Sequence, residues 1–181
     1  MSNLEAARKV CSLLGVFDED FYTAIASFTG ASKRLEIIYK DSSNLLIRDF
    51  AHSPSKLTAS INATRETFKD NFIIGVYELH TFSSLDPNFI NQYSGSLDNC
   101  DLPIVFYDKK NKKIQDSNSI NNKIISNAFN IQNLIIIDNS EDLFIYLMSI
   151  EYKKTCLLLM SSGNFGSMNI DKLKSYISNE S

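Results

Sequence analysis

From Gly30 onward the chain alternates short apolar runs with amphipathic stretches of helical period, and this restricts the fold more than any other feature. The apolar runs fall at Leu35–Tyr39, Leu45–Asp49, Phe72–Tyr77, Ile104–Tyr107, Leu134–Ile137 and Cys156–Met160. The first two flank the polar Lys40-Asp41-Ser42-Ser43-Asn44 and read as a hairpin. Helical patterns lie near Pro54–Phe68, Pro87–Tyr93, Ile120–Phe129, Glu141–Ile150 and Ile170–Ile177. Strands that are apolar on both faces, separated by crossover helices, predict a Rossmann-like α/β fold. The expected core is a mostly parallel sheet of about six strands, opened by the hairpin and covered by helices on both faces.

A short helical segment precedes this alternation. Leu4, Ala7, Val10, Cys11 and Leu14 share one helical face, and Gly15 supplies a stop. A second helix begins near Asp18 as its N-cap, with Phe21, Ile25 and Phe28 on its inner stripe. Asp108 to Asn118 is a polar, Lys-rich loop.

Composition excludes several function classes. A net charge of -3 supplies no cationic field for a nucleic-acid backbone. No apolar run approaches the roughly 20 residues that span a bilayer, so no membrane association is expected. The start, MSNLEAARKV, lacks a basic stretch followed by an apolar core, which makes the cytoplasm the expected location. Cys11, Cys100 and Cys156 are widely spaced and read as reduced, packed thiols rather than a disulfide framework or a zinc knuckle. Small molecules and other protein domains remain as partners.

In a doubly wound sheet, ligands collect outside the carboxyl ends of the strands. Both histidines of the chain fall in loops at such ends. Asp49 closes a strand, and His52 precedes Ser53-Pro54, the cap and first turn of a helix. A carboxylate there can hold a ribose hydroxyl, and the imidazole with the helix start suits a phosphate. The alternative is that Asp49 caps a turn and His52 is ordinary loop polarity. Arg34 can grip phosphate oxygens through its planar fork, with Glu36 holding it in place; a solvated edge-strand charge pair is the other reading. His80 with Ser83 and Ser84 follows the next strand end, as part of the same rim or as a hydroxyl-rich loop capping a helix start at Asp86-Pro87. Ser161-Ser162-Gly163-Asn164-Phe165-Gly166 follows the last strand, where the glycines permit close backbone approach to a ligand.

The glycine-rich dinucleotide fingerprint, the GxxxxGK[ST] phosphate loop, GxSxG and HExxH are all missing from the chain. These residues alone therefore do not assemble a phosphate-loop kinase or a hydrolase.

Taken in order, Asn3-Leu4-Glu5-Ala6-Ala7, Phe28 through Lys33-Arg34-Leu35-Glu36, Asp49-Phe50-Ala51-His52-Ser53-Pro54 and Met160-Ser161-Ser162-Gly163-Asn164-Phe165 resemble the Mur ligase family. The likeness is to the end of its central domain and the whole of its C-terminal domain, and within the family to the murein tripeptide ligases. It implies that residues 1–30 are the helical tail of the central ATPase domain and residues 31–181 the C-terminal domain. By the same resemblance Asn3 lies near adenine, Arg34 reaches ATP, Asp49 takes the ribose side, His52 contacts the nucleotide and His80 sits on a substrate rim. Ser83, Ser162 and Asn164 join that rim. The implied activity is amide ligation on UDP-N-acetylmuramate in peptidoglycan synthesis or recycling: ATP phosphorylates a carboxylate, and an amine then attacks the acyl phosphate. ATP and Mg2+ are held mainly by the central domain, so the implied partners are the central and N-terminal domains of the same ligase and an amino acid or peptide. Catalysis by this stretch alone is not expected, and its start inside a helix points to a piece of a longer enzyme. Glu78-Leu79-His80-Thr81 departs from the E-P-R-S run of tripeptide ligases, which leaves the acceptor open. The competing reading is a non-catalytic binding module that keeps the fold.

Overall fold

The computed structural model describes residues 3–28, 34–110 and 120–179. Gly30, Lys33, the expected 30/31 boundary and nearly all of the polar loop after Lys110 lie outside them. The chain divides into two compact units, residues 1–32 and 33–181.

The first unit is a helical pair, α1 (Asn3–Leu13) and α2 (Asp18–Ala26). Gly15 turns the chain between them at φ +86°. Asp18 is not the N-cap: Phe17 takes that place with extended backbone, and Asp18 enters the first turn, where its carboxylate suits the positive helix end. Arg8 draws the helices together by donating to Asp18 at 2.9 Å, while Glu5 of its own helix accepts from it at 2.8 Å. Phe21 is buried, but the expected α1 stripe is not; Leu4 and Val10 are 45% and 56% exposed. Two short helices offer too little surface to cover an apolar face.

The second unit is built on a six-stranded sheet in the order β1-β2-β6-β3-β4-β5. β1 (Glu36–Lys40) runs antiparallel to β2 (Leu45–Asp49). β3 (Phe72–Glu78), β4 (Leu102–Phe106), β5 (Ile135–Ile137) and β6 (Thr155–Met160) complete a parallel array with β2. β6 sits between β2 and β3, and all six of its residues are buried.

Helix α3 (Pro54–Thr67) connects β2 to β3, and α4 (Asn122–Phe129) leads into β5. Both lie on one face of the sheet, where Leu57, Ile61, Ile125 and Phe129 meet Ile47, Ile73, Tyr77, Val105 and Leu158. Helices α5 (Ser140–Met148) and α6 (Ile170–Asn179) cover the other face, where Leu143, Leu147, Leu173 and Ile177 meet Leu46, Ile74, Val76, Ile104 and Leu159. Leu57, Ile61 and Thr64 recur at helical spacing and fix the buried side of α3. Asn121 and Asn139 cap α4 and α5 by accepting the Ile124 and Asp142 amides. On the strands, Gly75 has no Cβ because Cys100 Sγ fills that space.

The helix expected at Pro87–Tyr93 is absent. A 3₁₀ turn at Ser83–Leu85 and a second at Ile90–Tyr93 replace it. Asp86 accepts the Asn88 amide at 2.9 Å, so a side chain competes for the backbone at the very start of the segment. The stretch is also too short for a helix to persist against that competition.

Candidate functional site

Asp49 ends β2 and meets Ser60 on the second turn of α3. Its Oδ1 accepts the Leu35 amide at 2.9 Å, and its Oδ2 accepts the Ser60 hydroxyl. Leu35 has φ +44°, in the left-handed region that a leucine seldom adopts, and the bond to Asp49 holds it there. The carboxylate is 8% exposed, yet two bonds leave it further acceptor capacity.

Beside it opens a cavity of about 420 Å³, lined by Arg34, Leu35, Asp49, Phe50, Lys56 and Ser60, with Ala59 and Ala63 forming a small-residue wall. Arg34 is exposed and makes no hydrogen bond or ion pair among the described residues. The expected support from Glu36 is overturned. Glu36 lies opposite Arg48 in the β1–β2 register, and its Oε2 accepts Arg48 Nη2 at 2.9 Å. The left-handed turn at Leu35 separates Arg34 from the strand, whereas directly opposed cross-strand residues lie within ordinary contact. Two cations, one carboxylate and an apolar wall suit a ligand that joins an anionic group to a flat, weakly polar one.

His52 stands one residue beyond the cavity wall formed by Ala51. Its Nδ1 lies 2.8 Å from the Phe50 carbonyl. A carbonyl only accepts, so Nδ1 carries the proton and Nε2 is left for other contacts. The Phe50 ring meets the imidazole edge-on at 5.2 Å. The loop is anchored from below: Tyr93 donates to the His52 carbonyl at 3.0 Å, and Tyr77 donates to Tyr93 Oη at 2.8 Å. Burial pushes both phenols above their usual range, Tyr77 well above it, so both remain hydroxyl donors.

A second centre forms where β3 and β6 end. Glu78 is 4% exposed; its Oε2 accepts the Ser161 hydroxyl and the Phe165 amide, the latter at 3.0 Å. Gly163 donates its amide to Ser161 Oγ at 2.6 Å. A Cβ at Gly163 would meet Glu78 Oε2 at 2.7 Å and the His80 ring at 3.0 Å, so only glycine fits between those side chains. His80 Nδ1 lies 3.8 Å from Glu78 Oε1.

The anticipated residues thus fall into separate groups. Arg34 and Asp49 share the first cavity, with His52 on the adjoining loop. His80 borders the second centre, and Ser162 and Asn164 lie in its loop. Ser83 Oγ sits 3.1 Å from Thr81 Oγ1, within a turn that Ser84 closes by donating to the Thr81 carbonyl, rather than capping an α-helix. Asn3 opens α1 in the other unit. Two residues were not anticipated, Lys56 and Glu78. Each was marked by position: a cation in the first turn after Pro54, and a carboxylate ending an apolar strand as Asp49 does. Among the described residues no group of three or more His, Cys, Asp or Glu side chains converges as a metal site.

Fold and site together define a doubly wound α/β domain with an anion-capable cavity at the carboxyl end of an outer parallel strand. Comparison with known proteins shows what this domain is similar to. No family model matches the chain. The UDP-N-acetylmuramate–L-alanine ligase of Porphyromonas gingivalis is 28% identical over 173 residues, 96% of this chain and 36% of that protein. The ligase of the same name from a Sulfurihydrogenibium species is 28% identical over 97% of this chain and 38% of its own length. Among solved structures, a murein peptide ligase from Psychrobacter arcticus superimposes with a TM-score of 0.72 at 17% identity, covering 98% of this chain and 36% of that one. The MurF ligase from Thermotoga maritima in complex with ADP gives 0.63 at 16% identity, covering 98% and 37%. The chain is homologous to the Mur ligases and shares their fold; it spans a little over a third of the length of the curated relatives it matches.

Proposed function

We propose that this chain is the C-terminal, nucleotide-contacting part of an ATP-dependent amide ligase acting on UDP-N-acetylmuramate. The carrying observation is the cavity at the end of β2, where Arg34, Lys56 and Asp49 surround an alanine-lined wall. The activities named for the similar ligases and the ADP complex of a fold relative support the same reading.

In this proposal residues 1–30 are the helical tail of the central domain, with Asn3 on the adenine side. Arg34 and Lys56 hold phosphate oxygens, and Asp49 takes a ribose hydroxyl through its remaining lone pairs. The Tyr77–Tyr93 pair fixes the His52 loop, which orients the imidazole toward the nucleotide. Bound ATP supplies the phosphoryl group that activates the substrate carboxylate for attack by an amine. His80, Ser83, Ser162 and Asn164 form the rim beside the acceptor. In the same reading Mg2+ is held mainly by the central domain. The cytoplasm is the location this reading proposes; among the described residues no helix is long and apolar enough to cross a membrane.

The test is amide formation by the full-length protein with ATP, UDP-N-acetylmuramate and either L-alanine or murein peptides. Arg34→Ala is expected to raise the KM for ATP while the protein stays folded. An unchanged KM, or no amide product with any acceptor, points to a binding module without ligase activity.

A further inference from the structure

Ser60 belongs to the core-facing stripe of α3, the series Leu57, Ser60, Ile61 and Thr64, whose spacing points every member toward the sheet. A buried hydroxyl has to find a partner. Thr64 finds one inside the helix, donating to the Ser60 carbonyl at 2.8 Å. Ser60 instead donates out of the helix, to Oδ2 of Asp49 at the end of β2. Both residues line the cavity that Arg34 and Lys56 share.

The bond completes a two-point grip on the carboxylate. Oδ1 accepts the Leu35 amide at 2.9 Å and Oδ2 the Ser60 hydroxyl, so each oxygen has one donor among the described residues. A carboxylate held in this way cannot turn about its Cβ–Cγ bond without losing one of the two. Of its roughly four lone-pair sites, one on each oxygen is left for a ligand. Two acceptors set a carboxylate's width apart match two hydroxyls on adjacent carbons, the cis-diol of a ribose. We infer that Ser60 is a positioning residue: with the Leu35 amide it fixes Asp49 to recognise both ribose hydroxyls, and so makes the cavity select ribonucleotides over deoxyribonucleotides. The inference rests on the nucleotide reading above and adds to it the residue that selects the sugar.

The rest of the cavity does not read the sugar. Sugar hydroxyls donate to a charged acceptor best, and Asp49 is the only carboxylate among the described residues that line this space. In the proposed reading Arg34 and Lys56 hold phosphate oxygens, which ribo- and deoxyribonucleotides have in common. The Ala59 and Ala63 side chains carry neither donor nor acceptor. Discrimination at the sugar therefore falls to Asp49, and the orientation of Asp49 to Ser60 and Leu35.

The experiment is calorimetric titration of the full-length protein with ADP, 2′-deoxyADP and 3′-deoxyADP. Wild type is expected to bind ADP at least ~10-fold more tightly than either deoxy analogue, the loss of one hydrogen bond to a charged acceptor. Ser60→Ala is expected to weaken ADP several-fold and to bring the ratio of ADP to deoxyADP affinity close to one. Ser60→Thr keeps the hydroxyl and restores the ratio. Lys56→Ala weakens ADP and deoxyADP by the same factor, because a phosphate contact is common to both. A merely structural role for Ser60 would move all affinities together and leave the ratio alone. The wild-type comparison needs no variant and stays available if Ser60→Ala does not fold. Equal binding of ADP and the deoxy analogues by wild type, an undiminished ratio in Ser60→Ala, or a ratio in Ser60→Thr as low as in Ser60→Ala overturns the inference and leaves the nucleotide reading standing. Absence of ADP binding by wild type overturns both.

Discussion

The phenolic oxygen of Tyr93 lies 3.0 Å from the main-chain carbonyl of His52, so a residue 41 positions later in the chain fixes the loop after β2. Tyr93 stacks on Tyr77 and Phe129 with ring centroids 5.3 and 5.4 Å away, which holds the hydroxyl in place. Tyr93→Phe keeps the stack and removes the donor. It should lower unfolding free energy by about 1 kcal/mol in urea and speed exchange of the Ser53 and His52 amides. Unchanged stability together with unchanged exchange rates would show that the bond does not anchor the loop.

Gly163→Ala places a methyl group against Glu78 and His80, and Glu78 cannot withdraw without breaking its Ser161 and Phe165 bonds. The expected cost is about 1–3 kcal/mol, as for an overpacked interior. Thermal unfolding gives the comparison, and an unchanged melting temperature counts against a closely packed loop.

Arg34 and Asp49 line one cavity but differ in what the fold asks of them. Arg34→Ala breaks no contact among the described residues and should change stability by less than ~0.5 kcal/mol. Asp49→Ala strands the Leu35 amide and the Ser60 hydroxyl, and should cost about 2–3 kcal/mol. On the proposed function, Arg34→Ala in the full-length protein is nevertheless expected to weaken ADP binding at least ~10-fold, the size of one lost charge-assisted contact. Equal losses of stability in the two variants would contradict this division of labour.

Burial pushes the Cys100 and Cys156 thiols up to about 12 from 9.0. Above the lower value the unfolded chain gives up these protons while the folded chain keeps them, so the unfolded state binds fewer protons. Their contribution is therefore complete below pH 9.0 and declines as pH rises toward about 12. Buried Tyr77 and Tyr152, also raised by desolvation, act in the same direction at higher pH. Urea midpoints at about pH 8 and about pH 10.5 should fall with alkalinity, and less so in a Cys100→Ala, Cys156→Ala variant. An equal fall in that variant assigns the effect to other groups.

Much of the architecture is legible in the sequence. The runs at Leu45–Ile47, Phe72–Tyr77 and Cys156–Met160 are apolar on successive residues, which only a strand covered on both faces tolerates. Asp49 was legible as a carboxylate closing a strand, and it lines the cavity at the end of β2. The segment after Asp86 was not legible as turns, because Phe89, Ile90 and Tyr93 keep a helical spacing while Asp86 diverts the backbone locally. Glu36 was misassigned for a related reason. Its partner is set by register with Arg48, and register depends on the hairpin's bulge between Ile37 and Tyr39, which periodicity does not encode.

The sequence by itself determined the order and type of nearly every element, the two-sided burial of the sheet and the candidate loops at the strand ends, since periodicity and capping are local properties of the chain. Only the tertiary structure decided that β6 inserts between β2 and β3, and every consequence of that insertion is non-local. It brings Ser161 to Glu78 across 83 residues, wedges Gly163 between Glu78 and His80, and sets the β6 loop beside Arg48. Those contacts depend on strand order and loop packing, which side-chain spacing along the chain does not specify.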